Sequence, residues 1–132
     1  MPANKLEDLE FLKGRRIEFE SIAELITVRA QEKPDAPHVY FYDEVITYQQ
    51  TNERSNKVAN YLKSRGIRKG DFVAVMVPNS PEIYYSVFGA QKLGAIPLVM
   101  NYMLKPPEIS YVLDDSNENF QIKAKFGPYV CD

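Results

Sequence analysis

The side chains that could carry chemistry are few and scattered. His38 is the only histidine and Cys131 the only cysteine in the 132 residues, so neither has a partner of its own kind for a metal site or an internal disulfide. His38 opens a β-prone run, and the sequence does not evidently supply the partners that a metal site or a serine–histidine pair would need. It reads as an ordinary strand or loop histidine. Asp114 and Asp115 are adjacent, and on a helix neighbours point about 100° apart, so these carboxylates solvate a helix end rather than converge. Arg65, Arg68 and Lys69 form a small basic cluster that closes a helix, where cations complement free carbonyls.

A phosphate cradle needs backbone amides freed of side-chain walls, which glycine provides. Gly14, Gly66, Gly70, Gly89, Gly94 and Gly127 compose neither a dinucleotide fingerprint nor a P-loop. Gly89 lies inside a helical pattern, where it is expected to permit close helix–sheet packing. The aromatic pairs and runs, Tyr84-Tyr85 and Tyr40-Phe41-Tyr42, read as core and strand residues. Catalytic, cofactor-binding and metal-binding residues are therefore all assigned as none.

The elements around these residues are better marked. Residues 1–20 read as an N-terminal arm lying on the domain or a neighbour. Ser21 to Glu24 has capping-box form, and Ile22, Leu25, Ile26 and Ala30 follow at helical spacing until Pro34 and Pro37 intervene. Two β-prone runs, 38–42 and 45–48, flank Asp43-Glu44 as an antiparallel hairpin. Thr47 to Gln50 forms a second capping-box pattern, opening a helix with Tyr48, Thr51, Ser55, Val58, Ala59 and Leu62 on one face and a stop at Gly66. Phe72 to Val77 and Ile96 to Met100 are continuous apolar runs, the pattern of strands covered on both faces in a parallel sheet. Between them Ser80-Pro81-Glu82 starts a helix, with Ser80 as hydroxyl cap, that carries Ile83, Val87, Ala90 and Leu93 to Gly94. Strand, helix, strand is a βαβ unit with adjacent parallel strands. Pro106-Pro107-Glu108 opens a last helix, and Phe120 to Phe126 alternates apolar and polar residues as an edge strand or irregular tail. The fold class is α/β: a small, mostly parallel sheet flanked by helices, with an N-terminal antiparallel hairpin. Its layout is an arm at 1–20, an α/β subdomain at 21–116 and an atypical tail or edge strand at 117–132.

With 45% hydrophobic and 26% charged residues, the composition is that of a globular domain. A net charge of -2, from 16 basic and 18 acidic residues, gives no electrostatic case for nucleic acid. No run approaches a membrane span, and the first residues lack the apolar core of a signal peptide. The chain reads as soluble and cytoplasmic.

The residues from Thr47 to Ser116 resemble the N-terminal region of adenylate-forming enzymes, the family of acyl-CoA synthetases, luciferases and peptide-synthetase adenylation domains. The likeness rests on an ordered set: Thr47-Tyr48 opening a helix with Ser55-Asn56 and Ala59-Asn60, then Gly66, Lys69-Gly70-Asp71-Phe72-Val73-Ala74, Asn79-Ser80-Pro81-Glu82, Lys92-Leu93-Gly94-Ala95 and Asn101. The segment from Ser21 to Val45 also fits. Within the family the pattern is most similar to fatty-acid and carnitine-type CoA ligases, with Thr51 standing where leucine is usual. The resemblance implies a parent enzyme that converts a fatty or related acid to an acyl-adenylate and then to acyl-CoA, using ATP, magnesium and coenzyme A. It also implies that the residues performing those steps lie beyond Asp132, so none is carried over, and this chain alone is not expected to be active. Asn117 to Asp132 departs from the family's next buried strand. It is read as the mark of a truncated or frame-altered product that could self-associate through an exposed sheet edge. The alternative is a stand-alone α/β binding or interaction module on the same scaffold.

Overall fold

The computed structural model describes residues 21–116 and 122–126. The arm at 1–20 and the tail positions 117–121 and 127–132 lie outside that description. Among the described residues the order is α1 (Ile22–Glu32), β1 (Pro37–Phe41), β2 (Glu44–Thr47), α2 (Tyr48–Ser64), β3 (Phe72–Val75), α3 (Pro81–Lys92), β4 (Ile96–Val99), α4 (Pro106–Ser116) and β5 (Ile122–Phe126). This is the expected mixed α/β architecture.

Local signals place the helices. Ser21 Oγ accepts from the Glu24 amide at 3.1 Å. The α1 stripe turned inward is Ala23, Ile26 and Ala30. Ile22, expected on that face, is 56% exposed because it lies about 100° around the axis from Ala23. At α2 the capping box is complete: Thr47 Oγ1 accepts from the Gln50 amide, and Gln50 Oε1 accepts from the Thr47 amide. Thr51, Ser55, Ala59 and Leu62 form its buried face. At α3 the expected hydroxyl cap is absent. Ser80 occupies the cap position in extended conformation, its side chain makes no capping bond, and Pro81 sets the first turn.

The hairpin is antiparallel, with Phe41 opposite Glu44, so its two-residue loop is Tyr42-Asp43 rather than Asp43-Glu44. Tyr42 has φ 50, a conformation that disfavours an L side chain by about 1 kcal/mol. The register shifts between Pro37 and Val39, which leaves His38 as the extra residue of a bulge.

The second sheet has the order β4-β3-β5. β3 and β4 are parallel neighbours, with Phe72 opposite Ile96 and Val75 opposite Val99, as the βαβ reading requires. β5 pairs with β3 in parallel on the other side and so occupies an edge of this sheet. Val73 and Val75 join Leu62 of α2, Ala90 of α3, Ile67, Val77 and Ala95 in one core cluster.

The expectation for Ile96 to Met100 needs correction. β4 is not covered on both faces: it is the edge opposite β5, and Ile96 and Val99 are 44% and 53% exposed. Gly89 also serves a different contact from the one expected. A β-carbon there would meet Val58 and the Ser55 carbonyl of α2, so the close approach is helix to helix.

Candidate functional site

Three polar knots draw together residues that lie far apart in the chain. The first surrounds His38. The bulge in β1 turns its ring against α2 and α3. Nδ1 shares a hydrogen bond with Thr51 Oγ1 at 2.8 Å. Tyr48 packs at 4.9 Å between ring centroids, and Tyr84 meets the ring edge-on at 5.3 Å. Burial lowers the imidazole pKa from its ordinary value. Thr51 is the hydroxyl that satisfies this histidine. Among the described residues no metal-ligating cluster forms around the pair, and its contacts are those of a structural hydrogen bond inside an aromatic cluster.

The second knot is Lys92 at the end of α3. Its Nζ donates to Thr27 Oγ1 of α1 at 3.1 Å, and to Asn52 Oδ1 and Asn56 Oδ1 of α2 at 2.5 and 2.8 Å. An ammonium has three donors, and all three are committed to neutral oxygens. Burial lowers its pKa below the usual lysine value. The third knot is Arg54, whose Nη1 donates to Tyr85 Oη at 2.7 Å and lies 3.6 Å from Glu44 Oε1. The Tyr85 bond raises the Arg54 pKa, and burial raises that of Tyr85. This contact ties the hairpin and α3 to α2.

None of these knots fits the groups that an adenylate-forming reaction requires. A triphosphate needs free donors, and Lys92 has none left. Gly66, Gly70 and Gly94 have positive φ at turns after α2, before β3 and after α3. The Gly94 carbonyl accepts from the Gly70 amide at 2.9 Å, joining two of these turns to each other. Among the described residues no group of three His, Cys, Asp or Glu side chains could hold a metal ion. Asp114 and Asp115 are exposed at the end of α4, and of the basic cluster only Arg65 stands at the end of α2. No step through ATP or magnesium is derived from these side chains. Lys92 and Arg54 escaped sequence reasoning because their partners come from separate helices and strands.

Residues 26–127 match the family model described as AMP-binding enzyme. The chain is 32% identical over 114 residues to the fatty acid–[acyl-carrier-protein] ligase ScoC of Streptomyces coeruleorubidus, covering 86% of this chain and 22% of that protein. It is 43% identical over 77 residues to the long-chain-fatty-acid–CoA ligase FadD13 of Mycobacterium tuberculosis, covering 58% of this chain and 15% of that protein. Among solved structures, the inhibitor-bound N-terminal domain of FACL13 from Mycobacterium tuberculosis aligns with a TM-score of 0.72 and 35% identity, over 83% of this chain and 27% of that one. The chain thus spans less than a third of each of these relatives. Among the described residues no helix is long and apolar enough to cross a membrane.

Proposed function

The chain belongs to the AMP-binding enzyme family, and on that premise we propose that it is the N-terminal portion of an ATP-dependent acyl-CoA synthetase. The parent reaction activates a fatty or related carboxylic acid as an acyl-adenylate and passes the acyl group to coenzyme A. The observation that carries this reading is the 43% identity to a long-chain-fatty-acid–CoA ligase through 77 residues. ATP, magnesium and coenzyme A belong to that whole enzyme. This chain contributes scaffold: we assign it no catalytic, cofactor-binding or metal-binding residue, in keeping with the fully committed ammonium of Lys92.

The same reading treats residues 1–20 as an arm, 21–116 as the subdomain proper and 117–132 as an atypical tail. It places the protein in the cytoplasm, where ATP and coenzyme A are drawn from shared pools and the lone Cys131 needs no disulfide partner. Self-association would use the outer edge of β5, whose second side has no strand among the described residues.

Two measurements test the proposal. Pyrophosphate exchange with ATP and a panel of fatty acids should be absent for the 132-residue chain, and acid-dependent exchange would overturn its assignment as scaffold. A chimera of FadD13 carrying residues 26–127 of this chain in place of its own matching region should form fatty acyl-CoA. A chimera that folds yet accepts no fatty acid would remove the acyl-CoA assignment.

A further inference from the structure

The turn that joins α2 to β3 carries charge of one sign on a chain whose net charge has the other. Lys63 and Arg65 stand at the end of α2, Arg68 and Lys69 follow before β3, and all four are exposed. Complementing the free carbonyls of α2 accounts for the first two only. Between Glu53 and Glu82 the sequence holds a single carboxylate, Asp71, whose Oδ2 accepts from the Arg68 amide at 2.8 Å. None of the four cations forms an ion pair with another described residue; such pairs lie at Arg29–Glu32 and Arg54–Glu44. The stem of Lys69 is fixed against the Gly94 turn, where a β-carbon would be 2.9 Å from Lys69 Cγ, and its ammonium faces water.

The chain enters the domain at this same end. At one end of the α1–α2 contact the Gln49 amide donates to the Pro34 carbonyl at 3.1 Å. Farther along, Lys92 bridges Thr27 to Asn52 and Asn56. The two helices therefore run antiparallel, and Ser21, which precedes Thr27 in α1, lies toward the carboxyl end of α2. The stripe of Asn52 and Asn56 continues two turns on to Lys63, on the face turned to α1.

We propose that Lys63, Arg65, Arg68 and Lys69 are the dock for the chain's own N-terminal arm, through its acidic run Glu7, Asp8 and Glu10. The first argument for this occupant is charge. Three carboxylates fall within four residues, with no cation from Leu6 to Leu12, and they meet a surface of the opposite sign. Lys13, Arg15 and Arg16 share the sign of the surface and are repelled by it. The second argument is length and attachment. An extended chain from Glu10 to Ser21 reaches about 36 Å, more than the roughly 20 Å across two packed helices. A partner tethered so close is present at millimolar effective concentration, so even screened surface pairs suffice to hold it. Leu6, Leu9, Phe11 and Leu12 give the run apolar side chains as well, and Ile22 at the root of the arm is exposed to receive them. Residues 1–20 precede the region that matches the family, 26–127, so this dock does not depend on the acyl-CoA reading.

The test places a nitroxide on Asn4→Cys in a Cys131→Ser background of the full 132-residue chain. Amide resonances are compared with the label oxidised and reduced. Amides 63–69 should broaden, and amides 40–45 of the hairpin should not. Arg68→Glu with Lys69→Glu should abolish that broadening, and adding Glu7→Lys and Glu10→Lys should restore it. No broadening at 63–69 in the unaltered sequence overturns the dock, as does broadening that survives the reversal of Arg68 and Lys69. Isotope-labelled chain mixed with spin-labelled chain separates one molecule from two: broadening that appears only between molecules assigns the surface to a second copy and overturns the proposal. Phosphatidylglycerol vesicles supply the remaining arm. Vesicles that sediment the unaltered chain and a Glu7→Gln, Asp8→Asn, Glu10→Gln variant alike would show the four cations open to any anionic surface, and the arm would not be their cover.

Discussion

Gly89 of α3 lies so close to Val58 of α2 that a β-carbon built on it would be 2.7 Å from Val58 Cγ1 and 2.9 Å from the Ser55 carbonyl. The carbonyl is backbone and cannot rotate away, so the two helices must separate to admit a methyl group. Gly89→Ala is expected to destabilise the domain by about 1–3 kcal/mol, the range for overpacking, although alanine favours helix. Val58→Ala should recover only a small part of the loss in the double variant, because it removes the Cγ1 contact but leaves the β-carbon of residue 58, at 2.8 Å, and the Ser55 carbonyl in place. Urea denaturation of the two single variants and the double variant checks this, and full additivity would show that the contact is not shared.

Val75 is fully buried in the central strand of the β4-β3-β5 sheet. Val75→Asp places a carboxylate where neither water nor a cation reaches, at a cost of several kcal/mol, comparable to the net stability of a small domain. The variant should lack a cooperative thermal transition. Retention of a sharp transition near the original temperature would contradict the placement of β3.

Much of this arrangement was legible because it is local. Thr47 and Gln50 announce the start of α2 three residues apart, and the run from Phe72 announces a buried strand within one window. The failures are equally specific. Ile96 to Met100 has the same apolar signature as β3, and periodicity alone cannot tell a covered strand from one whose cover lies elsewhere. Pro97 was the available signal, since a strand interior tolerates proline only where no neighbour needs its N–H. The inward turn of His38 depends on a one-residue bulge that no spacing rule foretells. The Lys92 knot joins positions 65, 40 and 36 residues away, and only the packed helices bring them together.

His38 gives the domain a pH dependence with a defined sign. Burial holds its folded-state pKa below the unfolded value of about 6.5, so the unfolded chain binds the proton more readily. The neutral ring is the form that the fold favours. Stability should therefore be level above that value, decline as pH falls below it, and flatten once pH passes below the folded-state pKa. Denaturation midpoints between pH 7.5 and 5.5 measure the slope, and His38→Gln should remove it. An identical slope in that variant would place the titration on another group.

Lys92 supplies the most demanding test, because burial and bonding act on it in opposite directions. Burial disfavours the ammonium, whereas Thr27, Asn52 and Asn56 each accept one of its protons. If the bonds prevail, Lys92 is a clamp that fixes α1 and α2 to the end of α3. Lys92→Met keeps the length and apolar stem and deletes all three donors. Hydrogen bonds to charged groups contribute about 1.5–3 kcal/mol each when intact and part of that is regained by hydration, so a net loss of about 1–3 kcal/mol is expected. The diagnostic is coupling. In a double-mutant cycle with Asn52→Ala, a shared bond gives a coupling energy of at least about 0.5 kcal/mol, whereas a lysine that merely fills space gives additive losses. Equal stability of Lys92→Met and the unaltered protein would mean that the desolvated charge cancels its own bonds and that α1 is held by packing, with Ala23, Ile26 and Ala30 at its centre.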